Sequence, residues 1–292
     1  MRVNVRQMNV RPLMGRPRWI ALGALCLALC LSSAEAREEK PLWELGAGAT
    51  ALSFPAYRGS DTNETFLFPL PYVVYRGKVL KADRRGVRGE LFQSDRLELT
   101  VSAALSPPAP SKDIEARRDM PDLHATFEIG PEFDATLWRS GNRARFLKIL
   151  VPLRAAYTVE RSPKHIGWVF QPKLNMDITD LPRMPGWSLG LLAGPVFGDR
   201  KQNQYFYSVP SSFETPQRRA YEASGGYAGM QYLASMSRRF PRFWVGGFLR
   251  YDNLAGATFA SSPLVRDRDN FAAGIALFWV FAESSTRVSV DE

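Results

Sequence analysis

Cysteine is all but missing from this 292-residue chain: Cys26 and Cys30 are its two cysteines, and none follows them. A domain exported without disulfides must be held by a large apolar core or by a membrane. Histidine is equally scarce, with only His124 and His165. There is no Gly-x-Ser-x-Gly turn and no metal-ligand spacing, so neither a nucleophile elbow nor a metal centre is indicated, and no cofactor is implied. No stretch after Ala36 approaches the roughly 20 consecutive apolar residues of a membrane helix. Nor is there a dense basic tract interleaved with aromatics, which argues against nucleic acid as a partner.

What is present begins with an export signal. Arg2, Arg6, Arg11, Arg16 and Arg18 precede an apolar run from Trp19 to Leu31, followed by Ser32, Ser33 and the small-x-small site Ala34-Glu35-Ala36. Residues 1–36 are therefore expected to be a cleaved signal peptide, whichever of Met1, Met8 or Met14 initiates. Cys26 and Cys30 each follow a leucine rather than the small residue a lipoprotein site needs, and they read as apolar filler. Of 38 basic residues five lie in this segment, and of 29 acidic ones only Glu35 does, which leaves a mild excess of five positive charges after it.

The remaining chain alternates. From Asp122 to Leu137, Leu123, Ala125, Phe127, Ile129, Phe133, Ala135 and Leu137 fall on one face, while His124, Glu128, Glu132 and Asp134 fall on the other. The pattern recurs at 147–157, 166–176, 187–197 and 271–281, with weaker candidates at 43–52, 65–75, 78–84, 86–93, 96–105, 225–238 and 243–252. Connections alternate in length as well. Outer ones at 53–64, 106–121, 160–165, 199–224 and 253–269 are long and that at 84–86 is short, while inner ones at 76–77, 94–95, 139–143 and 239–242 are short and that at 179–186 is long. The pattern predicts a transmembrane, antiparallel, up-and-down β-barrel of about twelve strands, ten being the alternative count, with both termini periplasmic. Its expected extent is 37–281, followed by a periplasmic tail at 282–292. Pro152, Pro172 and Pro195 interrupt proposed strands and are expected at bulges or strand ends.

Ordered motifs run along the chain: Pro55-Ala56-Tyr57-Arg58-Gly59-Ser60-Asp61, Pro69-Leu70-Pro71-Tyr72, Pro121-Asp122-Leu123, Val151-Pro152-Leu153-Arg154-Ala155, Thr215-Pro216-Gln217-Arg218, and Ser262-Pro263-Leu264-Val265. On these residues the chain resembles the MipA/OmpV family. The resemblance implies an outer-membrane barrel in a Gram-negative bacterium. It further implies a non-catalytic scaffold that brings a lytic transglycosylase together with a bifunctional murein polymerase. A narrow porin-like channel is the alternative, and an outer-membrane lipid hydrolase is a more remote one.

Three sets of residues stand out. Glu128, Glu132, Asp134, Lys148 and Arg154 are expected to share the lumen, either as a salt-bridge ladder filling a small barrel or as a charge-selective path. Met184 and Trp187, at the turn 179–186, are candidates for contact with a periplasmic partner. His124, with Asp122 and Ser111 nearby, is the one place a hydrolase would use, and the more ordinary reading is a solvated strand-end histidine. His165 is expected in an exposed loop. Lipid of the outer membrane is the remaining expected partner.

Overall fold

The computed structural model describes residues 38–290 apart from 78–79 and 84–85, so the expected signal peptide lies outside the described residues. In chain order the strands are β1 (Glu38–Pro41), β2 (Trp43–Pro55), β3 (Asn63–Arg76), β4 (Leu80–Asp83), β5 (Gly86–Gln93), β6 (Leu97–Ser106), β7 (Thr126–Arg139) and β8 (Arg145–Thr158). They continue as β9 (His165–Phe170), β10 (Lys173–Ile178), β11 (Trp187–Gly198), β12 (Gly226–Arg239), β13 (Phe243–Asn253), β14 (Asp269–Glu283) and β15 (Arg287–Val290). One helix, α1 (Arg200–Tyr207), follows β11.

Neighbours from β2 to β14 pair antiparallel, and β14 returns to pair with β2. β9 and β10 occupy a single place in the wall. Both pair with β8, through Leu153↔Phe170 and Leu150↔Lys173, and both pair with β11, through Phe170↔Phe197 and Leu174↔Ala193. The sheet is thereby closed with twelve staves, and closure leaves no unpaired edge to face lipid.

Prolines explain the broken stave. Gln171 and Pro172 separate β9 from β10, and Gln171 N–H donates to Pro152 O across the gap at 3.3 Å. A register shift between Pro195 and Phe197 marks the next strand. Pro152, by contrast, lies inside β8 opposite Glu132, away from any strand end. Because proline donates no ladder bond, these three residues line up a zone of missing hydrogen bonds across neighbouring strands.

The outward face is apolar. Leu67, Leu105 and Ile275 are 76%, 81% and 69% exposed, and Phe271, Leu277, Trp279 and Phe281 stand out from β14 at alternate positions. In water each such side chain would forfeit roughly 1.5–3 kcal/mol of burial. A band of them around a closed sheet is a surface made for hydrocarbon, and the barrel spans the membrane through it.

One end of the barrel carries short turns and the other carries long loops. Loops 56–62, 107–125, 199–225 and 254–268 all rise from the same end. At the opposite end, β1 pairs with β15 in a separate two-stranded ribbon. Leu42 N–H donates to Thr286 O and Ser284 N–H to Trp43 O, both at 2.9 Å, so the segment after Phe281 is tied to the start of β2.

Candidate functional site

The long loops fold on one another. Tyr57, Ile114, Met120, Leu123, Tyr207, Val209, Leu254, Phe259 and Leu264 form one buried cluster, so segments far apart in sequence share a core over the barrel mouth. Leu123 therefore does not face lipid as its place in the alternation predicted. β7 starts only at Thr126, and Leu123 bridges Ala109 inside the cap. An apolar residue at the edge of a strand follows whichever core lies nearest, and here that core is made by loops.

Hydrogen bonds tie the cap together at the motif residues. Tyr57 Oη donates to Leu264 O at 2.7 Å, and Tyr207 Oη donates to Arg58 O at 2.8 Å. Ser262 Oγ donates to Tyr207 O at 2.7 Å. Arg218 is buried and donates to Ala116 O at 3.2 Å, Arg118 O at 2.8 Å and Phe213 O at 2.9 Å, satisfying three loop carbonyls that would otherwise be stranded. Gly59 takes φ of +99°, which an L side chain rarely adopts, and its N–H donates to Asn270 Oδ1 on β14. Tyr207 stacks on Phe259 with ring centroids 3.6 Å apart. α1 is started by Asp199, whose side chain accepts from Gln202 N–H at 2.8 Å.

Burial sets the ionisation of this cap. It pushes the phenols of Tyr57, Tyr205 and Tyr207 above the usual tyrosine range. The Arg117 guanidinium, 5.8 Å from the centre of the Tyr57 ring, is itself lowered by burial. It donates to Phe206 O at 3.0 Å and Pro121 O at 3.2 Å.

Below the cap a polar chain crosses the interior. Arg154 joins Glu128 at 2.9 Å and Gln171 at 3.1 Å; Gln171 donates to Gln231 at 2.7 Å, and Gln231 to Asp252 at 3.0 Å. Arg58 descends from the cap to the same Asp252 carboxylate at 3.0 Å, and Arg250 approaches its other oxygen at 2.9 Å. Lys148 pairs with Glu98 at 3.2 Å, over the top of the intervening β7. Lys173 lies in the field of Glu132, Glu128 and Asp134. Of the five residues selected from the alternation, Glu128 and Arg154 pair with each other, while Lys148 pairs outside the set with Glu98. Glu98, Gln171, Gln231 and Asp252 were the missed members. Glu98, Gln231 and Asp252 have the inward parity of their strands, which is the signal that would have found them, whereas Gln171 lies in the break between β9 and β10.

Nearer the short turns, Glu44 on β2 binds Arg76 at 2.7 Å and Arg239 at 2.9 Å. β13 and β14 stand between β2 and β12, so Arg239 reaches Glu44 only across the interior. Tyr72, Trp244 and Phe278 cluster beside this clamp, with Phe278 5.4 Å from Tyr72 and 5.7 Å from Trp244. Glycine makes the room: a Cβ on Gly246 would sit 2.2 Å from the Trp244 ring, and one on Gly48 would sit 2.5 Å from that of Phe278.

Other expected sites fare differently. Met184 is exposed in its turn, but Trp187 is half-buried and begins β11 with the outward parity of Leu191, so it faces the wall rather than open solvent. His165 does not sit in an exposed loop. It opens β9, where its ring packs 5.2 Å from Tyr157 and 5.8 Å from Trp168. His124 is exposed and uses its backbone N–H on Tyr205 Oη at 3.0 Å. Ser111 Oγ donates to Pro121 O at 2.8 Å, and Asp122 accepts from Ser111 N–H at 2.7 Å, so this group is engaged in loop folding. Among the described residues, no group of three or more His, Cys, Asp and Glu is placed to hold a metal. A groove of about 390 Å³, lined by Leu174, Leu191, Tyr232 and Leu249 among others, opens on the outer wall rather than the lumen.

Comparison with known proteins adds three findings. The family model described as MltA-interacting protein MipA matches residues 47–281. No curated protein matches the chain. Among solved structures it is similar to a bacterial polysaccharide outer membrane secretin, at 10% identity and a TM-score of 0.42, covering 83% of this chain and 99% of that one. It is also similar to outer membrane phospholipase A from Escherichia coli, at 9% identity and a TM-score of 0.34, covering 88% and 97%. A third is the outer membrane protein OprD from Pseudomonas aeruginosa, at 7% identity and a TM-score of 0.25, covering 89% and 97%.

Proposed function

The chain belongs to the MltA-interacting protein MipA family, and we propose that it is a non-catalytic, non-conducting scaffold of the outer membrane that holds murein enzymes at the membrane's periplasmic face. The long-loop end is taken as extracellular and the short-turn end as periplasmic, because outer-membrane barrels keep short turns inside and long loops outside.

The observation that carries this reading is a lumen filled at successive levels. Loops cap the outer end, the chain from Glu128 to Asp252 crosses below them, and the Glu44 clamp with its aromatic cluster occupies the inner end. A barrel of twelve staves encloses little space to begin with, and paired charges inside it supply rigidity rather than a path. The hydrolase alternative is disfavoured because Ser111 and Asp122 are engaged in hydrogen bonds that fold their own loop. The family's description names MltA as the interacting protein, which supports a murein-degrading transglycosylase as the proposed partner; a murein polymerase would complete the assembly. Met184, with Trp187 behind it, remains the proposed anchor on the periplasmic side.

Two measurements test this together. The purified barrel in planar bilayers is expected to give no single-channel conductance, while cross-linking in cells captures a periplasmic transglycosylase. Steady conductance without capture would replace the scaffold by a channel. Replacing 179–186 with Gly-Ser is expected to abolish capture, and unchanged capture would remove Met184 and Trp187 from the contact.

A further inference from the structure

Charge is distributed unequally between the two ends of the barrel. The three longest loops, 107–125, 199–225 and 254–268, hold nine Lys or Arg and eight Asp or Glu, close to balance. Four turns at the other end, 94–96, 139–145, 179–186 and 238–242, hold eight Arg against Asp95 and Asp180, and the β1–β15 ribbon there adds Glu38, Glu39, Lys40 and Arg287 in balance. Asp180 is occupied by its own turn, accepting from Gly186 N–H at 2.7 Å. Of the arginines, Arg239 turns inward to Glu44 and Arg139 lies 5.2 Å over the Phe146 ring, whereas Arg96, Arg145, Arg183 and Arg242 are exposed.

Their positions say what they meet. Arg139 follows Trp138 and Arg242 precedes Phe243, and both aromatics are exposed on the wall. Trp187 pairs across strands with Arg238. The arginines therefore lie one step beyond the lower edge of the apolar band, at the depth where phospholipid headgroups begin. They are also spread over four turns, from the β5–β6 turn to the β12–β13 turn, rather than gathered on one patch. A protein partner docks on a patch, while an annulus of lipid surrounds the wall.

We propose that this arginine belt binds the phosphates of anionic phospholipids in the periplasmic leaflet. Guanidinium suits the purpose because its planar fork donates two hydrogen bonds to one phosphate and it stays charged at any physiological pH. The excess of positive charge favours lipids with a net negative headgroup over zwitterionic ones. The consequence is that the short-turn end, where partners of the scaffold would dock, sits in a local field of anionic lipid.

The test places the purified full barrel in nanodiscs of equal phosphatidylglycerol and phosphatidylethanolamine and measures the lipid retained on gentle extraction. Retention of phosphatidylglycerol is expected to exceed that of phosphatidylethanolamine by at least about five-fold at low salt, and to fall as salt rises. The combined variant R96Q, R145Q, R183Q and R242Q is expected to lose the preference, with the heat-modifiable barrel intact. Lysine at the same positions is expected to restore part of it. If the combined variant fails to fold, R183Q and R242Q singly, both in exposed turns, supply the comparison. Equal retention of both lipids by the native protein, or a preference unchanged in the variants, would overturn the proposal. It would also be overturned if the glutamine variant kept the lipid preference but lost binding to isolated murein sacculi, which would assign the belt to the cell-wall polymer.

Discussion

Tyr57 and Tyr207 show how single side chains hold the cap. Each phenol is buried, and each hydroxyl donates to a carbonyl of another loop or turn segment: Tyr57 to Leu264 and Tyr207 to Arg58. Tyr57→Phe would strand the Leu264 carbonyl, at a cost of about 1–3 kcal/mol. The pH dependence follows from the same burial. Both phenols titrate above their unfolded value, so their contribution is fully present below about pH 10 and is lost progressively as pH rises beyond it. Tyrosinate absorbance is therefore expected to rise in two stages, with the late stage reduced in Tyr57→Phe and in Tyr207→Phe. Protease sensitivity of the loops should increase over that same late stage. Exposed tyrosines alone, titrating in one stage, would contradict this account.

Elements in this protein divide into a wall that is zipped by backbone and a cap that is packed by side chains. The strands are secured by their ladders and by closure, so they tolerate the interruptions at Pro172 and Pro195. The loops have little ladder of their own and depend on a small shared core. Phe259 is fully buried at its centre and stacks on Tyr207. Phe259→Ala is expected to destabilise the cap by about 3–5 kcal/mol, the usual cost of emptying such a site. Limited proteolysis should then cleave within 199–225, while the shift in gel mobility on heating, which reports the intact barrel, stays as in the native protein. Loss of both together would mean that cap and wall fold as one unit.

The whole molecule has three environments: hydrocarbon outside, a polar and aromatic filling inside, and water at the two ends. Position on the wall decides which substitution is tolerated. Ile275, near the middle of β14, points outward and is 69% exposed, whereas its neighbour Ala276 has the inward parity of Phe278. Ile275→Lys should cost about 2–4 kcal/mol in the bilayer. The expected result is reduced assembly into membranes, measured as the fraction of heat-modifiable protein, with much less effect from Ala276→Ser. Equal effects of the two changes would place Ile275 away from lipid.

Much of this was legible in the residues alone. A period of two is plain from Phe127 to Leu137, where Phe127, Ile129, Phe133, Ala135 and Leu137 alternate with Glu128, Gly130, Glu132, Asp134 and Thr136, and alternating loop lengths then set the strand count and the two ends. Inward parity also placed Glu128, Glu132, Asp134, Lys148 and Arg154 in one lumen. What parity could not supply was partners, because Lys148 reaches past β7 to Glu98 and Glu44 reaches across the interior to Arg239. Those distances depend on barrel curvature and stagger, which no local pattern records. The cap was hidden for a related reason: Tyr57, Leu123, Phe259 and Leu264 carry no shared period, and they become neighbours only when the wall closes and brings their loops to the same mouth. Sequence by itself determined the strands, their faces and the membrane as solvent, since these follow from short-range alternation and the cost of exposing apolar surface. Only tertiary structure decided that the lumen is crossed and the mouth covered, since both arise from contacts between residues as far as 211 positions apart.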